Sequence, residues 1–261
     1  MNRILIANFM RVIKNKLFWI LCAVMAAVAL IVVLNAISNN DTQIDNAMCF
    51  FVIPAEIAAA IFISIFFGTE YGDGTIRNKL IVGHDRRQIY FANAVTSAAC
   101  ALVMFAAYML PVMILGFSAV ALPTGKAVGI AAVGIVTLFA FCSLYTMISM
   151  VYSNKAGATA INLVLAFLLI VFASVLITIL SAPEFYHAYG EGAELVRNPH
   201  YISGIARTML QAFCDLLPSG QAMQFMTGFS SPLWAFVLYS AGVCTACTAV
   251  GAVVFFVKDI K

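Results

Sequence analysis

Few residues in this chain could do chemistry, and most of them stand alone. Glu56 is the only ionisable residue deep inside a long apolar run, two positions after Pro54. It lies about eight residues, or about 12 Å at 1.5 Å per residue, from the start of its helix. A carboxylate at such depth either contacts a cationic substrate or is a hydrogen-bonded structural group beside a carbonyl freed by the proline. Asn162, in a later apolar run, is a weaker candidate of the same kind, either on a substrate path or in a hydrogen bond between helices. Cys244 and Cys247 have CxxC spacing but no histidine or carboxylate beside them, and a metal needs further ligands. His84 adjoins Asp85 with no second histidine or cysteine near, so no metal site is predicted there. All three histidines, His84, His187 and His200, fall between apolar runs, and no HExxH pattern occurs. The single Gly-Lys pair, Gly125-Lys126, is followed by Ala127 and has Val120 where a phosphate-cradling loop needs its first glycine. No catalytic set, metal site, bound cofactor or nucleotide site is therefore expected in this chain.

The elements that hold these residues are apolar throughout. Of 261 residues, 64% are hydrophobic and 10% charged, with a mean hydropathy of +1.02. Soluble domains are about 45–50% apolar and about 25% charged. This composition excludes a water-soluble enzyme, a disulfide scaffold and a disordered chain. An all-α polytopic membrane protein is expected instead, forming one transmembrane domain over 1–261. Six runs near the ~20 residues that cross a bilayer are predicted as spans at 17–37, 48–67, 91–117, 127–150, 158–180 and 233–257.

Charge sets the orientation. One set of connections and termini holds Arg3, Arg11, Lys14, Lys16, Arg77, Lys79, Arg86, Arg87, Lys155, Lys258 and Lys261, and the other only Lys126, Arg197 and Arg207. The positive-inside rule then places both termini in the cytoplasm. The opposite set carries Asp41, Asp45, Glu184, Glu191, Glu194 and Asp215. Cys49 and Cys214 both fall on that side, where a disulfide between them is open to them.

Residues 1–16 are basic and carry Ile4, Leu5, Phe9, Val12 and Ile13 at helical spacing, which predicts an interfacial helix with its arginines and lysines near headgroups. The long segment 181–232 contains Ile205, Met209, Ala212, Phe213 and Leu216 on one helical side, opposite Arg207, Gln211 and Asp215. Pro218 and Gly220 are read as stopping that helix before a second one over 221–226. Such a hairpin either dips into the bilayer or caps the outer ends of the spans.

The connection 68–90 is far longer than the two to eight residues that a helical hairpin requires. Asp73 as N-cap and Gly83 as stop predict a short helix over 74–82, with Ile76, Leu80 and Ile81 on one side. Asp85 is read as the cap of the next helix. Either the loop is an elaborated turn that enforces topology, or it docks a cytoplasmic partner.

At this loop the sequence resembles a family. Glu70-Tyr71-Gly72-Asp73-Gly74-Thr75-Ile76-Arg77, set between two spans, is similar to the membrane permeases of type-2 ATP-binding-cassette transporters, as is Leu217-Pro218-Ser219-Gly220-Gln221 before the last span. The resemblance implies a permease subunit of an ATP-driven exporter in a bacterial plasma membrane. It implies a coupling helix in 68–90 seated on a separate ATPase that holds ATP and Mg, and pairing with a second permease copy or homologue. Nucleic acid has no place in it. Its cargo classes are peptides, drugs and lipid-like molecules. On this reading Glu70, Tyr71, Asp73, Gly74, Thr75, Ile76, Arg77, Lys79 and Leu80 couple to the ATPase. Asp73 and Gly74 set the helix start, Ile76 and Leu80 enter the ATPase groove, and Glu70, Arg77 and Lys79 act as rim charges. A passive channel or a membrane scaffold remains as the alternative.

Overall fold

A computed structural model describes residues 1–39, 45–119, 124–187, 195–227 and 231–258. Asp41, Glu191, Glu194 and Lys261, used above for the orientation, lie outside these residues. The described residues are all-α apart from one small hairpin. Its helices are α1 (Asn2–Ile13), α2 (Lys16–Ser38), α3 (Asp45–Cys49), α4 (Val52–Gly72), α5 (Thr75–Ile81), α6 (Arg86–Ala119), α7 (Thr124–Val151), α8 (Lys155–Leu180), α9 (Ile205–Leu216), α10 (Pro218–Thr227) and α11 (Leu233–Val257). Strands β1 (Phe185–His187) and β2 (Leu195–Arg197) pair antiparallel between α8 and α9, an element that the sequence reading did not contain.

Among the described residues, six helical segments are long and apolar enough to cross a membrane: Lys16–Ser38, Ala47–Gly72, Arg86–Gly116, Ala131–Val151, Lys155–Leu180 and Leu233–Val257. Their starts follow local chemistry. The Asn15 side chain accepts from the amides of Leu17 and Phe18 at the head of α2, and Asn154 accepts from Ala156 and Gly157 at the head of α8. Each carboxamide satisfies amides that the helix leaves without a carbonyl partner.

α4 is the central helix. Two thirds of its most apolar window (67%) is buried, against 22% for α8 and 17% for α11. It packs on α2, α7 and α8, while α11 lies along α7 and α2 along α6. Phe62 of α4 meets Phe18 of α2 at 5.4 Å and Phe66 at 5.3 Å, and Phe51 meets Phe105 of α6 at 5.1 Å. Such offset and tilted ring pairs add to the dispersion energy that holds apolar helices together where burial from water cannot.

The segment between the second and third spans differs from its expected form. α4 runs on to Gly72 and α6 begins at Arg86, so Glu70 and Tyr71 are helical and only a seven-residue α5 stands between. Asp73 is the C-cap of α4, and Gly74 takes the N-cap place of α5 with no side-chain hydrogen bond. Its φ of +66° is left-handed, a conformation that glycine adopts without the penalty a Cβ brings. The expected Asp73 cap is thus replaced by a glycine corner that turns the chain back under α4.

The pair α9–α10 also departs from expectation. α10 starts at Pro218, in the first-turn position where proline costs least. Gly220 therefore lies inside a helix instead of stopping one. A Cβ there would come within 2.2 Å of the Cys214 carbonyl oxygen, so the two helices close on each other only through glycine. Cys49 and Cys214 are buried on separate elements and are not joined in a disulfide. Burial pushes the Cys214 thiol up to about 11, and its near neighbours are the Gly220 carbonyl and Gln224.

Candidate functional site

At the α5 end of the bundle, four helices converge on one carboxylate. Glu70, in the last turns of α4, has no exposed surface. It accepts from Lys79 Nζ of α5 at 2.7 Å, from Asn93 Nδ2 of α6 at 3.1 Å and from the Arg11 guanidinium of α1. Asn8, one turn before Arg11, donates to Asn93 Oδ1 at 2.8 Å and Thr96 Oγ1 at 3.2 Å, and accepts from Lys79 at 3.0 Å. Spacings of three residues on α1 (Asn8, Arg11) and on α6 (Asn93, Thr96) put each pair on one helix face. A carboxylate taken out of water is costly unless it is both paired and hydrogen-bonded, and here it is both. Arg11 additionally lies over the Phe66 ring at 4.8 Å.

A second knot lies beside the first. The Tyr71 hydroxyl donates to the Met150 carbonyl at the end of α7. Lys258, just past α11, donates to both at 3.2 Å and sits 4.4 Å from the tyrosine ring centre. Arg86 at the head of α6 donates to the Lys258 carbonyl and, at 3.2 Å, to that of Phe256. Burial lowers the Lys258 ammonium to about 8.

These knots change the expected roles of the loop residues. Ile76 is 1% exposed and belongs to the core, and Leu80 is half-buried against it. Glu70 and Lys79 face inward, so neither is a rim charge, and Arg11 is paired with Glu70. The apolar surface that α5 presents is Ile81 and Val82, 73% and 76% exposed, beside exposed Arg77 and Asn78. Asp73 is exposed, and Gly74 and Thr75 are half-buried at the corner.

The second polar centre is at Glu56, on the same helix as Glu70. It is 1% exposed and accepts from Tyr145 Oη of α7 at 3.2 Å and from Ser219 Oγ of α10 at 3.1 and 3.2 Å. Next to it Gln221 accepts from Ser240 of α11 at 2.7 Å and Thr137 of α7 at 3.1 Å, and donates to the Asp215 carbonyl at 2.7 Å. The head of α10 is thus plugged into the bundle by polar side chains. This arrangement favours the structural reading of Glu56. Asn162 donates to Ser149 at 2.9 Å and to the Tyr145 carbonyl at 3.4 Å, an interhelical link between α8 and α7.

α9 is turned inside out relative to a soluble helix. Ile205, Met209, Phe213 and Leu216 are exposed, while Gln211 and buried Asp215 point inward. Asp215 accepts from Gln211 and Gln224 at 2.8 Å and from Ser231 at 2.7 Å. Polar-in, apolar-out is the order expected of a helix whose outer side meets lipid.

The sequence profile of the ABC-2 family transporter proteins matches residues 42–260, which takes in every element from α3 to α11. The chain belongs to the ABC-2 transporter family. It is a multi-pass membrane permease of the ABC transporter class. A comparison with curated proteins found no match.

Several residues that build the two centres of this ABC-2 permease were not singled out from the sequence. Asn8, Asn93 and Thr96 sit in or beside apolar runs, where a polar side chain is itself the signal. Tyr145, Thr137 and Ser240 gave only that same weak signal. Ser219 and Gln221 were in view as part of the Leu217–Gln221 motif, but their partners on α4, α7 and α11 are far away in sequence.

Proposed function

We propose that this ABC-2 permease is the membrane half of an ATP-driven exporter, with both termini in the cytoplasm of a bacterial cell. ATP and Mg are held by a separate ATPase that docks on α5, and two permeases pair across the complex. The observation that carries this reading is the surface of α5. A seven-residue helix anchored through Ile76 and Lys79 leaves an apolar pair, Ile81 and Val82, uncovered beside Arg77 and Asn78. A helix that short has no stability of its own. Clamped as it is, it can be pushed as a rigid body.

The mechanism follows from what the clamp joins. Closure of the ATPases on ATP displaces α5. Lys79 and Glu70 pass the displacement to α4, Arg11 and Asn8 pass it to α1, and Asn93 passes it to α6. Along α4, Glu56 lies 14 residues before Glu70, about 21 Å at 1.5 Å per residue, and is bonded to Ser219. A tilt of α4 therefore reaches the α9–α10 hairpin at the opposite end. Exposure of a peptide, drug or lipid-like cargo then alternates between the two sides. Asp73, Gly74 and Thr75 act as the corner about which α5 is set, and Tyr71 locks that corner to α7 and α11.

The test is the double substitution Ile81→Asp with Val82→Asp. Both side chains are exposed, so the melting temperature should shift by no more than about 1 kcal/mol equivalent, as at other surface sites. Co-purification of the ATPase and nucleotide-driven transport in vesicles should both fall at least about tenfold, as when apolar anchors of a docking surface are replaced by charges. Full transport by the double variant would reject docking at α5.

A further inference from the structure

At the end of the bundle opposite α5, a cavity of about 290 Å³ opens where α8, α9 and α10 meet. Arg207, Ser181, Gln211 and Thr227 wall it above Ile177 and Leu180. Arg207 is held in place from two directions. Its Nη2 donates to the Leu180 carbonyl at 2.6 Å, at the C-terminus of α8 where a cation is favoured, and its guanidinium lies over the Tyr201 ring at 4.8 Å. The other edge is not satisfied. Nη1 is buried and meets no hydrogen-bond partner among the described residues. A buried charged donor left open costs more than a neutral one, and a guanidinium fork is suited to an oxyanion.

The buried carboxylate of α9 does not fill the fork. Asp215 is eight residues on along α9, about 12 Å by helical rise, and is engaged by Gln211, Gln224 and Ser231. Glu184, after α8 in the chain, pairs loosely with Arg197 at 3.8 Å. Ile177 and Leu180 are the apolar wall of the cavity. The outer flanks of both helices are apolar as well: Phe172 and Val175 of α8 are exposed, as are Met209 and Phe213 on the side of α9 opposite Arg207 and Gln211. The space equals several water molecules at about 30 Å³ each, enough for a headgroup but not for acyl chains, which would lie on those flanks.

We infer that this cavity is a binding site for a phosphate oxyanion, with Arg207 Nη1 as its anchoring donor and the phosphate borne by a lipid headgroup lodged between α8 and α9. The site is independent of whether an ATPase docks at α5. Wild-type permease in nanodiscs of mixed phosphatidylglycerol and galactosyldiacylglycerol, matched in acyl chains, should retain the phospholipid on gentle extraction about tenfold over the phosphate-free lipid, as read by native mass spectrometry; that is the size of effect expected from one charge-assisted hydrogen bond. Arg207→Gln should abolish the preference, and Arg207→Lys should keep part of it. Displacement of the phospholipid by inorganic phosphate at constant ionic strength would identify free phosphate as a competing source of the same chemistry. Persistence of the phospholipid against it would identify the headgroup as the ligand. Equal retention of both lipids by the wild type overturns the inference without recourse to any variant. So does an Arg207→Gln protein that keeps the full preference.

Discussion

Two glutamates on one helix occupy opposite electrostatic situations. Glu70 and Glu56 are both buried, at 0% and 1% exposure. Glu70 is met by two cations, Lys79 and Arg11, and by an amide. Glu56 is met by two hydroxyls, Ser219 and Tyr145. The first is an ion-pair knot that ties α1, α4, α5 and α6 at one end of the bundle. The second is a hydrogen-bond plug that ties α4, α7 and α10 deeper inside. Charge is concentrated where four helices meet at the α5 end, and neutral donors serve within the apolar body.

The comparison can be broken by the same substitution at both sites. Glu70→Gln leaves Lys79 and Arg11 facing an amide. Breaking a buried pair in this way costs about 3–5 kcal/mol, and Arg11, with a side chain 32% exposed, brings the expected loss to the lower end. Thermal unfolding in detergent should show that loss, together with reduced protection of α1 and α5 in hydrogen exchange. Glu56→Gln keeps an acceptor for Ser219 and Tyr145, so a loss of only about 1 kcal/mol is expected, the worth of an ordinary hydrogen bond. Equal losses at the two positions would erase the distinction.

A smaller effect concerns pH. The Lys258 ammonium is lowered from 10.5 to about 8 by burial. Between those values the unfolded chain holds a proton that the folded chain has released, so stability gains with rising pH through that window. Below about 8 the cost of burying the charged form is present in full. Melting curves of the wild type should therefore rise relative to those of Lys258→Met between about pH 8 and 10.5. Parallel curves would show that Lys258 is not held in the knot with Tyr71 and Met150.

Much of this architecture could be read from composition, because a bilayer permits few solutions for an apolar chain. The six spans expected from hydropathy meet six helices long and apolar enough to cross a membrane among the described residues, but α4 ends and α6 starts nearer α5 than hydropathy indicated, because the turns there carry Glu70, Arg86, Arg87 and Gln88. The Leu217–Gln221 motif was visible, but not its insertion among α4, α7 and α11. Ile76 faces the core, where a groove contact was expected, for a local reason. Ile76, Leu80 and Ile81 share a side at helical spacing, yet a helix this short packs only one edge inward, and sequence periodicity does not say which residue marks that edge. Arg11 reads as one more headgroup-facing charge because nothing in the N-terminal sequence points to Glu70, 59 residues beyond it, and Asn8 gives no signal of its own.

The most direct test of the central claim, that α5 is pushed by a nucleotide-hydrolysing partner, is photo-cross-linking in native membranes from a probe at Val82. The account predicts that an ABC-type ATPase is the captured protein, and that its yield changes when a non-hydrolysable ATP analogue is added. Capture of lipid alone from that position, with no ATPase under either condition, would contradict it.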